Sequence, residues 1–457
     1  MATQYDLVIL GATAAGRAAA SFAAARGARV ALIEQGLGLA AAPFYTAALR
    51  DRAQQQPGSG LVGFQAAVAQ AEAAIAALEA QQSPLALGDR GVDYIAEFGL
   101  WALGPGLTWV TPQRTLTGRA GLLTPAWQTR PPDSPGLGAA DYWRPEQLWA
   151  QPDRLPPTGR LAILGATILA VELAQSCQRL GWEVTLVAPQ VLLPALDRTV
   201  VTLLQAHLEA AGVTVLTHSA VTQVRALGGQ TWLQAGDRAL EVEAVVLAAG
   251  LQPDYQDWNL AGRVAIAPEG RLRVNRWLQT SQPSLFACQR STPAIATAEA
   301  LVAARQALGD SRQPLSYRSW PIAIATTPPM AAVGLPETAA PRYGHESVLA
   351  VTVPSDQASG ALLQNLPTGC CKLIARRSGE LLGAHALGPG AEDWISAIAL
   401  AMEQDLRVAD LAQLTVVQPS GSELIPRIAQ AWLARAGSPD APGHKKRAVA
   451  RSSPPAR

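Results

Sequence analysis

Two short turns of this chain, residues 11–16 and 165–170, contain residues of the kind that bind phosphate. Each turn follows an apolar run and precedes a segment with helical periodicity, so each is predicted to join a strand to a helix. The N-terminus of such a helix presents backbone N–H groups to an anion, and small residues in the turn let a pyrophosphate approach. The sequence therefore predicts two dinucleotide sites. The residues that carry this prediction are Gly11, Thr13, Gly16, Gly165, Thr167 and Ala170.

Both turns depart from the usual glycine pattern at the middle position, where Thr13 and Thr167 stand. A branched Cβ is expected to obstruct a phosphate there, because that position is normally glycine. Glu34 follows the second apolar run of the first unit, where an acid can accept a hydrogen bond from a ribose hydroxyl. Residues 188–190 hold the matching place in the second unit and contain neither an acid nor an arginine. The second turn is interpreted either as an altered NAD(P) site or, slightly preferred, as a unit that retains only the fold.

The elements that position these turns are two strand-helix-strand units of similar sequence. The first has apolar runs at residues 7–10 and 30–33, and the second has them at residues 161–164 and 184–187. The periodicity of the remaining chain predicts further elements, and from residue 320 a mixed α/β domain. These are a helix over 61–82, a small antiparallel sheet over 91–127, an irregular linker over 128–158, helices over 200–211, 297–308, 391–403 and 422–435, and strands over 348–353, 371–375 and 381–387.

The composition is that of a large globular protein without a strong global charge. Of the 457 residues, 49% are hydrophobic and 16% are charged, and the formal net charge is +1. Attraction to nucleic acid or to an anionic membrane surface is therefore not expected. The N-terminus lacks the pattern of a secretory signal, and no apolar run is expected to reach the ~18 residues of a membrane helix, so we expect a cytoplasmic protein. Residues 437–457 are expected to form a disordered basic tail.

Three further phrases, residues 246–253, 329–337 and 383–388, follow the two turns in a recognisable order. Together they resemble the pyridine nucleotide-disulfide oxidoreductases, a family that includes dihydrolipoamide dehydrogenase, glutathione reductase and mercuric reductase. The resemblance implies an α/β fold with two Rossmann-like dinucleotide-binding domains, of FAD and NAD(P) type, and a C-terminal α+β dimerisation domain. The implied boundaries are 1–150 for the FAD domain, 151–270 for the NAD(P) domain, 271–316 for the returning FAD segment and 317–436 for the dimerisation domain.

The resemblance also implies which residues contact the two cofactors. Gly11, Gly16 and Glu34 correspond to contacts on the adenosine side of FAD, with Thr13 inside the same turn. Gln289 stands where the family has an aspartate that holds the ribityl chain and the flavin phosphates. Glu172 matches a glutamate near the nicotinamide and the flavin. The positions implied for NAD(P) are Gly165, Thr167, Ala170, Glu172 and Gly250.

Several positions that the family uses for chemistry hold other residues here. Residues 36–45 contain no cysteine, although the family's redox-active pair lies in this segment. Gln418 replaces a C-terminal histidine that shuttles protons, while Glu423, which orients that histidine, is present. Gln289 is uncharged, and residues 124–127 lack the family's Ala-Thr-Gly turn, so FAD is expected to be held differently or more weakly. Dithiol chemistry by the family's route is not expected.

The remaining candidate residues are interpreted as structural. Cys370 and Cys371 are expected to be buried thiols, although Lys372 could lower the pKa of one of them. Cys177 is expected to lie in the core. The five histidines have no metal-ligand spacing, so no zinc site is expected. Five tryptophans are expected to fill the core rather than stack on a cofactor ring: Trp101, Trp109, Trp127, Trp143 and Trp149.

Two main hypotheses about function stay open. The first is an oxidoreductase that passes electrons from NAD(P)H through FAD to an unknown small acceptor such as a quinone or oxygen. The second is a non-catalytic homodimeric relative that keeps the scaffold for binding or assembly, since the departures fall on cofactor and catalytic positions. A third hypothesis is a disulfide reductase that uses Cys370 and Cys371. In each case the expected protein partner is a second copy of the chain, with neither nucleic acid nor membrane involved.

Overall fold

The computed structural model describes residues 3–34, 42–102, 106–130, 142–227, 230–255, 258–310, 314–343 and 348–437. The chain divides into two compact units. The first unit consists of Met1–Pro194 and Gln205–Tyr317, and the second of Ala195–Leu204 and Arg318–Arg457.

Strands and helices are numbered in chain order over the described residues. The strands are β1 (Thr3–Leu10), β2 (Val30–Ile33), β3 (Val92–Ile95), β4 (Leu100–Trp101), β5 (Leu107–Val110), β6 (Thr115–Leu123), β7 (Trp127–Thr129), β8 (Arg160–Leu164), β9 (Glu183–Val187), β10 (Thr214–Leu216), β11 (Val221–Leu227), β12 (Gln230–Ala235), β13 (Arg238–Val242), β14 (Ala244–Leu247), β15 (Leu251–Pro253), β16 (Leu285–Ala287), β17 (Pro321–Ile324), β18 (Met330–Gly334), β19 (Val348–Pro354), β20 (Cys370–Arg376) and β21 (Leu381–Leu387). The helices are α1 (Ala14–Ala24), α2 (Ala42–Gln55), α3 (Gly60–Gln81), α4 (Pro84–Asp89), α5 (Pro145–Ala150), α6 (Ile168–Leu180), α7 (Arg198–Ala210), α8 (Pro293–Leu308), α9 (Ser359–Leu363), α10 (Ala391–Glu403), α11 (Val408–Leu411) and α12 (Leu424–Ala436).

The first unit contains a sheet of order β3-β2-β1-β6-β5-β4, in which β16 also pairs with β6. Strands β1, β2, β3, β6 and β16 run parallel, whereas β5 is antiparallel to β6 and β4 is antiparallel to β5. The prediction of a small antiparallel sheet over residues 91–127 is confirmed for β4, β5 and β6, which pair antiparallel. It is wrong for β3, which pairs in parallel with β2, and β6 also joins the parallel strands β1 and β16. Residues 120–123 of β6 are all buried, as expected for a parallel strand covered on both faces.

Alternate residues of β1 face opposite sides of this sheet, as the period of a strand requires. Leu7 and Ile9 lie in an apolar cluster with the alanines of α1 and α8. Val8 and Leu10 lie in a second cluster that includes Trp109. Helices α1 and α8 pack against each other, so the turns that precede them lie on the same side of the sheet.

A second sheet of the first unit has the order β10-β9-β8-β14, with all neighbours parallel. An antiparallel sheet β11-β12-β13 follows it, and β15 pairs with β7. The segment 128–158, expected to be irregular, contributes to β7 and contains α5, while residues 131–141 lie outside the described residues.

The second unit is built on an antiparallel sheet of order β17-β18-β21-β20-β19. Helices α10 and α12 pack against it and bury Trp394 and Trp432 in its core. The predicted strand over 381–387 and helix over 391–403 are confirmed with the same bounds. The expected basic tail lies outside the described residues, apart from Gly437.

Among the residues that the structure describes, one helical stretch, Gly60–Asp89, is long and apolar enough to cross a membrane by length and composition, contrary to the expectation from the sequence. It comprises α3 and α4, and 28% of its most apolar window is buried. Helix α3 packs against α2 and α6 of the same unit. A single stretch of this kind is weak support for a membrane span, because core helices of globular proteins pass the same test.

Candidate functional site

The carboxyl edge of the first parallel sheet collects residues from four distant parts of the chain. Gly11 follows β1, Glu34 follows β2, Thr124 follows β6 and Gln289 lies two residues beyond β16. Because these strands are parallel, their carboxyl ends meet at one edge of the sheet. Ligands of open α/β sheets bind at this edge, outside the ends of the strands.

The turn at the end of β1 is too tight for any residue but glycine at two positions. Gly11 has a φ of +105°, and a Cβ on it would lie 2.1 Å from the carbonyl oxygen of Thr124. A Cβ on Gly16 would lie 2.0 Å from the carbonyl oxygen of Gly11. The hydroxyl of Thr124 donates to that same Gly11 oxygen at 2.6 Å and braces the turn. Gly11 and Gly16 therefore allow the tight turn and the close packing of helix on strand that a dinucleotide-binding unit requires.

Thr13 has a structural task that the sequence pattern did not reveal, as the N-cap of α1. Its Oγ1 accepts a hydrogen bond from the N–H of Gly16 at 3.3 Å. Threonine is a favoured N-cap because its hydroxyl satisfies one of the free N–H groups of the first helical turn. That N–H is one of the donors a phosphate at this helix end would use. A phosphate at this end of α1 would therefore have to displace the Thr13 hydroxyl from the Gly16 N–H.

The second turn repeats this arrangement almost group for group. Thr167 caps α6, and its Oγ1 accepts from the N–H of Ala170 at 3.2 Å and donates to the carbonyl of Ala248 at 2.7 Å. A Cβ on Gly165 would lie 2.2 Å from the same Ala248 oxygen. The repeat in the sequence is therefore a repeat in three dimensions, including its threonines.

The other implied NAD(P) residues lie around this second turn. Glu172 is buried in α6, and Gly250 lies beyond the end of β14 with a φ of +139°. The end of β9 leads to Ala188, which is fully buried and uncharged. The edge of this sheet thus gathers Gly165, Thr167 and Gly250.

A buried arginine beside the first turn was missed by the sequence reasoning. The Nε of Arg17 donates to the carbonyl of Ala12 at 2.8 Å, and its Nη1 donates to the carbonyl of Gln82 at 2.6 Å. Its guanidinium lies 5.8 Å from the ring of Tyr94. The pKa of Tyr94 is raised to about 12, mainly by burial and to a smaller extent by the negative charge of Glu34. Arg17 and Glu34 therefore both interact with Tyr94. A single arginine in the alanine-rich first turn of α1 is the sequence signal for the buried cation.

A second missed residue, Glu299, lies in α8 behind Gln289. Its Oε2 accepts the backbone N–H of Gln289 at 2.6 Å and that of Arg290 at 3.1 Å. Tyr317 donates its hydroxyl to the other carboxylate oxygen. Glu299 is fully buried, and burial raises the pKa of its carboxyl against the opposing effect of these hydrogen bonds. It is the only acid in α8, and an acid in an alanine-rich helix is a signal that the sequence does carry.

The C-terminal phrase does not present an acid-base pair. Gln418 is exposed, and Glu423 is buried among serines. The Glu423 carboxylate accepts the N–H of Ser420 at 3.0 Å and the hydroxyl of Ser359. Burial alone would raise the pKa of Glu423, but these hydrogen bonds outweigh it and lower the pKa. The carboxylate that would orient a histidine in the family here caps two backbone segments instead.

All the cysteines of the chain are free and buried, as predicted. Burial raises the pKa of Cys370 to about 11, and the nearby Lys372 lowers it too little to offset this. Burial also raises the pKa of Cys371. Burial of both thiols argues against the disulfide-reductase hypothesis for this pair, because the thiolate is the reactive form. Residues 35–41, part of the segment that lacks the family's cysteines, lie outside the described residues.

The structure also shows how the His, Cys, Asp and Glu side chains are grouped and where the five tryptophans lie. Within the described residues no group of three or more His, Cys, Asp or Glu side chains could hold a metal ion. Trp101, Trp109, Trp143 and Trp149 are buried, which confirms them as core residues, whereas Trp127 is only partly buried. Trp149 stacks on Tyr45 with ring centroids 4.7 Å apart.

The second unit contains a buried polar cluster centred on Lys372. Its Nζ donates to Asp197 at 2.9 Å, to Glu337 at 2.6 Å and to the hydroxyl of Thr199 at 3.0 Å. His385, opposite Lys372 on the neighbouring strand, accepts the N–H of Asp197 at 3.4 Å. Burial lowers the pKa of His385 to about 4. The cluster joins residues 195–204 to the antiparallel sheet, and it was not foreseen.

Two family models match the chain. One, described as pyridine nucleotide-disulphide oxidoreductase, matches residues 5–300. The other, described as the dimerisation domain of the same family, matches residues 320–429. The predicted fold class is thereby confirmed.

Curated relatives and solved structures agree with these matches. A mercuric reductase of Staphylococcus aureus is 27% identical over 438 residues, covering 89% of this chain and 78% of that protein. A mercuric reductase of Acidithiobacillus ferrooxidans is 29% identical, and the match spans 62% of this chain but only about half, 52%, of that protein. The flavoprotein disulfide reductase RclA of Escherichia coli has a TM-score of 0.81 at 23% identity, covering 94% of this chain and 99% of the other. LpdA of Mycobacterium tuberculosis gives 0.82 at 24% identity with the same coverage of both chains.

Proposed function

The chain belongs to the pyridine nucleotide-disulphide oxidoreductase family, and from this premise we propose that it is an FAD-dependent oxidoreductase that works without a redox disulfide. In the proposed reaction NAD(P)H and a proton convert a quinone to a quinol, leaving NAD(P)⁺, or reduce oxygen in its place. The observation that carries the proposal is the turn after β1, where Gly11 and Gly16 leave no room for a Cβ.

The residues at this edge suit the adenosine half of FAD, the cofactor of the family. The N-terminus of α1 offers N–H donors to the pyrophosphate, and Glu34 offers an acceptor to a ribose hydroxyl. Gln289 is proposed as the contact on the flavin side, through its amide and its backbone. Bound FAD supplies the two-electron redox centre. The protein's own part is to orient the cofactor and to exclude dithiol exchange, since no cysteine lies in residues 36–45.

The second turn is proposed as the nicotinamide nucleotide site, with Gly165, Thr167, Ala170, Glu172 and Gly250 as its residues. Ala188, at the end of β9, offers neither an acid to a ribose nor a cation to a 2′-phosphate. Little discrimination between NADH and NADPH is therefore expected. The match to the family's dimerisation domain supports a homodimer.

The visible spectrum of the purified protein tests this proposal. A yellow preparation whose flavin absorbance near 450 nm is bleached by NADH or NADPH under argon, and restored by a quinone, is the expected result. A colourless preparation that takes up no added FAD would contradict it.

A second candidate function is that of a non-catalytic homodimer, and the contacts of Glu423 favour it. With Gln418 in place of histidine and Glu423 held by Ser359 and Ser420, the family's proton relay has been converted into backbone capping. This candidate predicts a folded dimer whose preparation shows no flavin reduction. Both candidates are expected to be dimers, so the visible spectrum is the measurement that separates them.

A further inference from the structure

The carboxylate of Glu299 has the partners that a bound phosphate oxygen would have. Two consecutive backbone N–H groups, of Gln289 and Arg290, donate to one of its oxygens at 2.6 and 3.1 Å. The hydroxyl of Tyr317 donates to the other oxygen. Consecutive N–H groups that converge on one anion are a recurrent way of binding phosphate. Here the anion is supplied by the chain itself.

This internal anion lies at the edge of the sheet where the proposed flavin contact lies. Gln289 and Arg290 follow β16, which runs parallel to β6 at the same edge as Gly11. Helix α8, which carries Glu299, packs against α1, which begins at the glycine turn. Ala12, in the turn, and Cys288, before Gln289, belong to one apolar cluster with the alanines of α8. The carboxylate and the pyrophosphate cradle are thus parts of one packed layer.

We propose that Glu299 is an internal competitor of the flavin phosphate, which occupies the N–H donors at Gln289 and Arg290 and thereby weakens the binding of FAD. This inference rests on the proposed function, because it takes Gln289 as the contact on the flavin side. A phosphate that approaches these N–H groups meets a carboxylate already bound to them, and the two like charges repel each other most strongly where Glu299 is buried. For FAD to bind, either the Glu299 carboxylate must leave these donors and stay buried without them, or the phosphate must bind beside a like charge. Both alternatives weaken the binding of FAD.

The surrounding charges agree with this assignment. Burial raises the pKa of the Glu299 carboxyl, as expected where the site tolerates its charge only through hydrogen bonds. The guanidinium of Arg290 lies 4.7 Å from the ring of Tyr317, and that of Arg271 donates weakly to the Gln289 carbonyl at 3.5 Å. Once the charge of Glu299 is removed, no like charge opposes a phosphate at this place, and the guanidinium groups of Arg271 and Arg290 remain to attract it.

The test compares the wild-type chain with the Glu299→Gln variant, which keeps the shape of the side chain and removes its charge. Glu269→Gln, at an exposed position of the first unit, removes the same charge as a matched control. Affinities for FAD, FMN and riboflavin are measured by quenching of flavin fluorescence, with far-ultraviolet circular dichroism confirming that each variant is folded. We expect Glu299→Gln to bind FAD and FMN at least ~10-fold more tightly, with riboflavin and the Glu269→Gln control unchanged.

The outcomes are distinguishable from failure of the proposed function. If wild type and Glu299→Gln bind FAD equally well, or if riboflavin gains as much as FAD, the competition is refuted while the flavoenzyme proposal stands. If the variant binds FAD and the wild type does not, the competition is supported and the native chain is the non-catalytic relative. If neither folded protein binds FAD, both ideas fail. Should Glu299→Gln not fold, Glu299→Ala, which suits the alanine-rich α8, carries the same comparison.

Discussion

Replacing Lys372 by methionine is expected to destabilise the second unit by about 3–5 kcal/mol, the usual cost of leaving a buried charge without its partner. The side chain of Lys372 is 6% exposed and that of its partner Asp197 is 1% exposed. Burial alone would raise the pKa of Asp197, but the hydrogen bonds from Lys372 and from the N–H of Glu337 hold it below its usual value. In the variant, the donors that remain to the Asp197 carboxylate within the described parts of the chain are two backbone N–H groups, of Thr199 at 3.0 Å and of Glu337 at 3.1 Å.

Thermal unfolding followed by circular dichroism measures this effect. For a unit of roughly 150 residues, each kcal/mol changes Tm by about 2–4 °C, so a decrease of about 6–20 °C is expected. Lys445→Met removes the same charge beyond the matched dimerisation domain and serves as the control. Adding Asp197→Leu to Lys372→Met should recover most of the loss, because no unpaired charge then remains buried. A Tm within about 2 °C of wild type for the single variant, or no recovery in the double variant, would refute the reasoning.

Three further predictions concern caps, acid stability and thiols. Thr13→Ala should lower the free energy of unfolding by about 1 kcal/mol in urea titrations and Thr13→Gly by only a few tenths, because glycine tolerates an N-cap position; equal losses would argue against the cap. Burial lowers the pKa of His385 to about 4, so the neutral form contributes stability on the order of 3 kcal/mol that is full above pH 6.5 and lost as pH falls towards 4. The Tm of the wild-type protein, measured against pH, should decrease over this range. A His385→Gln variant with the same dependence of Tm on pH as the wild type would contradict this assignment. Because burial raises the pKa of Cys370 to about 11, a thiol reagent at pH 8 should label the native protein far more slowly than the urea-unfolded protein; rapid labelling of one native thiol would show that a thiolate is accessible.

The local elements of the fold could be predicted because their signals lie within a few residues. The strand over 381–387 and the helix over 391–403 have the predicted bounds, since apolar periodicity and glycine positions mark them directly. The two turns could also be predicted, because Gly11 and Gly165 adopt backbone angles and make close contacts that other residues rarely allow.

Strand pairing could not be predicted in the same way. Apolar runs that alternate with turns over residues 91–127 predict an antiparallel sheet. In the structure β3 pairs in parallel with β2, and β6 pairs antiparallel with β5 but in parallel with the distant β1. The apolar pattern of a strand indicates only whether one or both of its faces are buried. Which strand lies beside it depends on the connections of the whole chain.

The sequence alone was sufficient to identify the family, the repeat of two glycine turns, the absence of cysteine from residues 36–45 and the glutamine at position 418. Only the tertiary structure revealed the tasks of the polar residues around those turns. The sequence predicts Thr13 to be an obstruction to phosphate, and the structure shows it as the N-cap of a helix. In the sequence Glu299 is a single acid in an alanine-rich helix, and in the structure it accepts two backbone N–H groups at the proposed flavin contact. The physical reason is that a polar side chain acts through its partners and its burial. Those partners come from segments brought together only when the sheets form, as Lys372 and Asp197 are.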